Sequence, residues 1–111
     1  LIEMIQVDVY SDSKGCTTGV EVKGHAGYDE YGKDIVCAAV SALVINFVNS
    51  LDELTDDHYQ IDVNQEDAEI DVVFTEELSE EGSLLLRSLI LGLTSVEEEH
   101  GQYLDVIFKE V

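Results

Sequence analysis

The spacing of apolar residues along this chain of 111 residues changes repeatedly between every second position and every third or fourth position. A period of two is typical of a half-buried strand, and spacings of three and four are typical of one face of a helix. We therefore predict the element order ββαββαβ. The strands are expected over residues 5–10, 16–22, 59–63, 68–74 and 103–108, and the helices over residues 35–54 and 79–100.

Two polar stretches, SDSKG and NQED, separate neighbouring strands and contain the residue types that favour tight turns. Because helices alternate with hairpins, the expected fold is α+β, with two layers: a mostly antiparallel sheet and two helices on one of its faces. The length fits one domain over residues 1–111. Residues 1–3 are expected to be an addition or an alternative start before Met4.

The charge is strongly unbalanced, because 25 Asp and Glu residues face only 5 Lys and Arg residues, for a formal net charge of −20. Such a chain repels phosphate backbones, so direct binding of nucleic acid is not expected. A basic protein or peptide would be attracted. The acidity could equally serve only solubility.

Composition also bears on location and cofactors. The longest nearly apolar run, residues 35–48, is shorter than the roughly 20 residues that span a bilayer, so no membrane helix is expected. The N-terminus lacks the features of a secretory signal, which predicts a cytoplasmic protein with free thiols. No second cysteine or histidine lies at a short ligand spacing from Cys37, so neither a metal nor another cofactor is expected.

The stretch GHAGYDEYGKDIVCAAVS, residues 24–41, carries the most suggestive chemistry. With Asp34 as the N-cap of the first helix, Cys37 would lie in the first turn, where free backbone amides favour a thiolate. His25 follows the second strand, and a strand end beside a helix start can bring an imidazole to a thiol. Cys37 would then be a nucleophile and His25 its base, and the pair would need no metal.

Asp34, Cys37 and Ser41 share one helix face, and the small residues Ala38 and Ala42 flank it, which leaves room for a substrate. A free cysteine among small residues is, however, more often a packed core residue than a nucleophile. Asp34 could likewise be only a helix cap. The pattern alone leaves both interpretations open.

The segments GHAG and DIVCAAVS resemble the ribosomal-processing cysteine protease family, and the resemblance extends over nearly the whole chain. It implies a bacterial enzyme that removes the N-terminal extension of large-subunit ribosomal protein twenty-seven, after a short apolar segment ending in phenylalanines. The family's catalytic dyad matches His25 and Cys37. Its supporting or substrate-binding residues match Asp34 and Ser41, and its dimeric state agrees with the broad apolar surface of the second helix.

The segment between the dyad residues is expected to be a mobile loop that gates the groove. Gly27 and Gly32 lie near its ends, and Tyr28 and Tyr31 would pack on a bound peptide. A simple connector is the alternative.

Two rival functions are compatible with the residues. One is a non-catalytic acidic module that binds a basic ribosomal protein or assembly factor. The other is a redox sensor in which Cys16 and Cys37 form a reversible disulfide.

Overall fold

The computed structural model describes residues 4–24, 31–64, 66 and 69–111; within residues 31–34 it describes only the course of the backbone. The predicted order ββαββαβ is confirmed. The elements are β1 (Ile5–Ser11), β2 (Thr17–Lys23), α1 (Tyr31–Leu54), β3 (Tyr59–Asn64), β4 (Glu69–Phe74), α2 (Glu80–Glu99) and β5 (Leu104–Glu110).

The five strands form one sheet in the order β3-β4-β2-β1-β5. Both hairpins are antiparallel, and β2 pairs antiparallel with β4. β5 returns after α2 and pairs parallel with β1. The prediction of a mostly antiparallel sheet is therefore confirmed, with one parallel pair at the β5 edge.

The core lies between one face of the sheet and the two helices. Every second residue of β1 is buried there, and α1 contributes a stripe spaced by three and four. α2 adds Leu86, Leu89 and Leu93. The stripe of α1 consists of Val36, Val40, Val44, Phe47, Val48 and Leu51.

α1 begins at Tyr31, four residues before the start predicted from the apolar spacing. The assignment of Asp34 as the N-cap is therefore wrong, and Cys37 lies in the second turn instead of the first. Tyr31 and Gly32 likewise belong to the helix and not to a loop. Polar residues can extend a helix beyond its apolar stripe because packing of the stripe supplies most of the helical stability, and apolar spacing cannot locate such an end.

The length of α1 also bears on whether this helix could span a membrane. Residues Ile35–Leu54 form a helix long and apolar enough, by length and composition alone, to cross a bilayer. The core helix of a soluble protein passes the same test. Here the apolar stripe packs on the sheet, which gives a reason for the apolar length without a membrane.

The opposite face of the sheet is polar and holds a fully buried carboxylate, Asp8. Gln6 Nε2 donates to one oxygen at 2.9 Å, and Lys109 Nζ donates to the other at 3.2 Å. Tyr10 and Lys23 approach the second oxygen at 3.3 and 3.6 Å. Burial opposes ionisation, but these hydrogen bonds and the two ammonium charges outweigh it and hold the pKa of Asp8 below its usual value.

Asp8 begins a row of four carboxylates that crosses adjacent strands in register. Glu21 lies opposite Asp8, Asp71 opposite Glu21, and Asp62 opposite Asp71. Like charges directly opposite each other on neighbouring strands are destabilising. Burial raises the pKa of Asp71, and the charges of Glu21 and Asp62 raise it further.

We predict that Asp8→Asn lowers the free energy of unfolding at pH 7 by about 1–3 kcal/mol, because the two lysines lose their buried partner. The lowered pKa of Asp8 means that its contribution is complete above its usual pKa and is lost as the pH falls through the folded-state value. Urea unfolding of both proteins should therefore show a stability difference at pH 7 that narrows towards pH 3.

Asp71→Asn is the matched control, since it removes a carboxylate from the same row. The raised pKa of Asp71 means that its negative charge opposes folding at neutral pH and that this cost disappears as the pH falls. The variant should be more stable than the wild type at pH 7. Equal destabilisation by both substitutions would contradict the assigned roles.

Candidate active site

Cys37 is the seventh residue of α1, and its side chain is half-buried against the core. It directly follows the fully buried Val36 and precedes the exposed Ala38. The thiol is not in a disulfide. It therefore lies at the boundary between the core and the surface, where a substrate can reach it.

Ser41 lies one turn after Cys37 on the same helix face and is also half-buried. The flanking Ala38 and Ala42 are both exposed, so this part of the helix is open to solvent. The structure thus brings Cys37 and Ser41 together as predicted.

β2 ends at Lys23 and leads through Gly24 towards His25. Gly24 has a φ of +76°, a conformation that glycine adopts readily and other residues resist. A side-chain carbon at Gly24 would also lie 3.2 Å from the carbonyl oxygen of Met4. Glycine therefore suits this exit from the sheet for two independent reasons.

Several predicted site residues lie outside the part of the chain that the structure describes. His25, Gly27 and Tyr28 fall in residues 25–30, and the side chain of Asp34 is not described. The dyad geometry and the gating of the groove by Tyr28 therefore stay predictions.

Cys16 lies at the other end of the sheet. Its thiol donates a hydrogen bond to Glu77 Oε1 at 3.1 Å. This hydrogen bond, burial and the charge of Glu77 raise the pKa of the Cys16 thiol, which disfavours a nucleophilic thiolate.

The position of Cys16 also bears on the rival hypothesis of a reversible disulfide with Cys37, since both thiols are free in the structure. Phe74 lines the same cleft as Cys16, and its ring centroid lies 6.0 Å from that of Phe47 on α1. Cys37 precedes Phe47 by ten residues, or about 15 Å of helix. A disulfide requires α-carbons within about 7 Å, so this arrangement favours two separate thiols over the disulfide of the redox-sensor hypothesis.

Across residues 4–24, 31–64, 66 and 69–111, no group of three His, Cys, Asp or Glu side chains is arranged to hold a metal ion. Among the described residues, the chemistry available at Cys37 is that of a free thiol with a serine one helical turn away. A two-layer α+β fold that presents an accessible thiol on a helix fits a thiol-dependent enzyme of the cysteine peptidase class.

Comparisons with known proteins give the particular family. The family model described as cysteine protease Prp matches residues 4–105. The ribosomal processing cysteine protease Prp of Staphylococcus aureus strain Mu50 is 31% identical over 96% of this chain and 100% of that protein. The corresponding protein of Bacillus subtilis strain 168 is 29% identical over 93% of this chain and 96% of its own length. The chain belongs to the cysteine protease Prp family.

Solved structures agree. The S. aureus Prp in complex with a substrate peptide superposes with a TM-score of 0.89 at 30% identity, covering 96% of this chain and 100% of that one. The same enzyme with a covalently linked product peptide gives a TM-score of 0.85 at 31% identity, over 96% and 100% of the two chains. SMU.848 from Streptococcus mutans gives 0.88 at 32% identity, over 98% and 100%. The fold of a ribosomal processing cysteine protease is thereby confirmed for this chain.

Proposed function

We propose that this cysteine protease removes the N-terminal extension of large-subunit ribosomal protein twenty-seven, with Cys37 as nucleophile and His25 as base. The observation that carries the proposal is the half-buried free thiol on the open face of α1. The relatives support it, because a ribosomal processing protease has been solved with both a substrate peptide and a covalently linked product peptide.

In the proposed reaction, the Cys37 thiolate attacks the scissile carbonyl carbon and forms a C–S bond. As the tetrahedral intermediate collapses, the C–N bond breaks and the His25 imidazolium gives its proton to the leaving amine. Neutral His25 then takes a proton from water, which attacks the thioester. Collapse of the second tetrahedral intermediate breaks the C–S bond and releases the cleaved segment with a carboxyl end. The Cys37 thiolate and the His25 imidazolium are thereby restored.

Asp34 and Ser41 support this site in the proposal. Both lie on the Cys37 face of α1, three residues before and four residues after the thiol. Because α1 begins at Tyr31, Asp34 is not the N-cap residue of the helix. Ser41→Ala should damage turnover less than loss of Cys37, and unchanged turnover and peptide affinity would reduce Ser41 to a packing residue.

The negative charge of the protein supports a basic ribosomal protein as its substrate. The proposed location is the cytoplasm, because ribosomal proteins are made there. The formal net charge of −20 attracts basic chains and opposes direct contact with nucleic acid. A rise in KM with added salt at constant kcat would reflect this attraction, and cell fractionation would test the location.

A homodimer through α2 is part of the proposal. Leu84 and Leu91 lie two turns apart on one face of α2 and are 59% and 69% exposed. We predict a dimer for the wild-type protein in size-exclusion chromatography with light scattering at micromolar concentration. Leu84→Gln with Leu91→Gln should give a monomer, because it removes the apolar contact. A monomeric wild type would contradict the proposal.

We predict that Cys37→Ala abolishes cleavage of a synthetic peptide spanning the extension and the residues after it, because the attacking sulfur is lost. His25→Ala should lower kcat by a factor of about 100 to 10,000. It should also slow the alkylation of Cys37 at neutral pH. Mass spectrometry of the products and iodoacetamide kinetics measure the two effects.

The matched control is Cys16→Ala, which removes the other thiol and should leave cleavage unchanged. Circular dichroism of all three variants should match that of the wild type. Appreciable cleavage by Cys37→Ala would remove Cys37 as the nucleophile, and an unchanged alkylation rate in His25→Ala would detach His25 from the site.

A further inference from the structure

An apolar groove runs between α1 and the edge strand β3. It has a volume of about 220 Å³, less than the roughly 300–1,000 Å³ of sites for whole small molecules. Ile45, Ile61 and Val63 are about half exposed in it. Its size and lining suit individual apolar side chains of a longer ligand. The lining residues are Val44, Ile45, Val48, Asn49, Ile61, Val63 and Ile70.

The groove continues the helix face that carries the thiol. At 3.6 residues per turn, Val44 and Val48 each lie within about 20° of the direction of Cys37 around the α1 axis, and Ser41 lies between them and Cys37 in sequence. Val44 is seven residues from Cys37, or about 10 Å along the helix. Val44 and Val48 are buried and form the bottom of the groove, whereas Ile45 is 53% exposed at its opening. A ligand that extends from the thiol past Ser41 therefore reaches the groove at Ile45.

The backbone of β3 offers a second element of recognition. Thr75 N donates to His58 O, and in an antiparallel pair such bonding alternates, so the backbone groups of Gln60 and Asp62 also point to β4. Those of Ile61 and Val63 then point to the open edge. The same two residues turn their side chains towards the groove, since their partners Val72 and Ile70 are buried core residues.

The two edge strands of the sheet, β3 and β5, differ in what contacts their outward backbone groups. At the β5 edge, the backbone N–H of Val106 donates to Glu97 Oε2 of α2 at 2.6 Å, so a side chain of the protein itself occupies one outward backbone position of that edge. β3 pairs with β4 on one side, and within the described residues no other element joins it in the sheet. An uncovered edge strand with half-exposed apolar residues is a template for another strand.

We propose that the groove and the open edge of β3 together bind an extended apolar segment of the substrate, which adds to the sheet as a sixth strand. This inference rests on the proposed function and deepens it by naming the residues that select the segment. An extended peptide advances about 3.3 Å per residue. A segment that starts at Cys37 therefore places the third and fourth residues from the scissile bond in the groove.

The first test measures the affinity of the fluorescein-labelled synthetic peptide of the extension for the Cys37→Ala protein, which binds without cutting. Ile61→Thr with Val63→Thr keeps β-branched residues on the strand but makes the groove polar. We expect about tenfold weaker binding. A peptide with serine at the third and fourth residues from the cut should be equally weakened, and the two changes should not add.

Val73→Thr is the matched control. Val73 is a β-branched residue, 43% exposed, on the neighbouring strand β4, and it faces the other side of the sheet, opposite Gln60. Binding to this variant should stay within twofold of the parent. Equal losses from Val73→Thr, or losses in protein and peptide that simply add, would overturn the groove as the binding site.

The second test examines the strand pairing. N-methylation removes one peptide N–H at a time, and along an added strand only alternate positions bond to β3. Affinity should therefore fall at every second position of the apolar segment. A uniform response, or a shift of the Thr variants from dimer to monomer with unchanged affinity, would overturn the proposal. Unaltered cleavage by the Thr variants in the wild-type background would overturn it while leaving the protease function intact.

Discussion

The packing of α1 on the sheet is the interaction on which the rest of the structure depends. Val36, Val40 and Val44 are each at most 1% exposed, and they fix the rotation of the helix about its own axis. With that rotation set, Cys37 is held half-buried beside the core, and Ala38 and Ala42 are left exposed. A slip of one residue would turn the thiol about 100° around the axis. The apolar stripe therefore orients the Cys37 thiol as well as supporting the core.

The two faces of the sheet are stabilised by different interactions, apolar packing on one and charge pairing on the other. The buried residues of the inner face are apolar, whereas the outer face holds the buried carboxylate of Asp8 between two lysines. Those two lysines are a large share of the five cations in the chain. Lys23 also pairs with Glu21 at 2.8 Å. Burial, and after it the charges of Glu21 and Asp62, still raise the pKa of Asp71. The chain thus retains a strongly acidic surface, at a cost in stability, on the side away from the helices.

The acidic surface and the apolar groove suit two properties of one substrate. A ribosomal protein is basic, so the long-range field of the enzyme attracts it before contact. At close range, the apolar groove then recognises the apolar side chains of the substrate, because the electrostatic field of the enzyme does not discriminate between uncharged side chains. In the proposed binding mode, the open β3 edge and the groove supply this second stage about 10 Å along α1 from the thiol, while Glu97 binds one backbone N–H of the β5 edge. In this proposal, negative charge attracts the substrate and the apolar groove selects it, which gives a role to half-exposed isoleucines and valines on so acidic a protein.

The sequence by itself determined the element order, the layer architecture and the residues of the motif, because periodicity reports which side chains are buried and local spacing reports which share a helix face. It placed Cys37 and Ser41 together for that reason. It misplaced the start of α1, since residues 31–34 precede the apolar stripe and nothing in their spacing marks a helix. Only the tertiary structure decided the strand order, which leaves β3 at an edge. Strand order depends on contacts between segments that are distant in sequence. In the sequence, Ile61 and Val63 look like ordinary strand residues, and only their packing beside α1 shows that they are half-exposed.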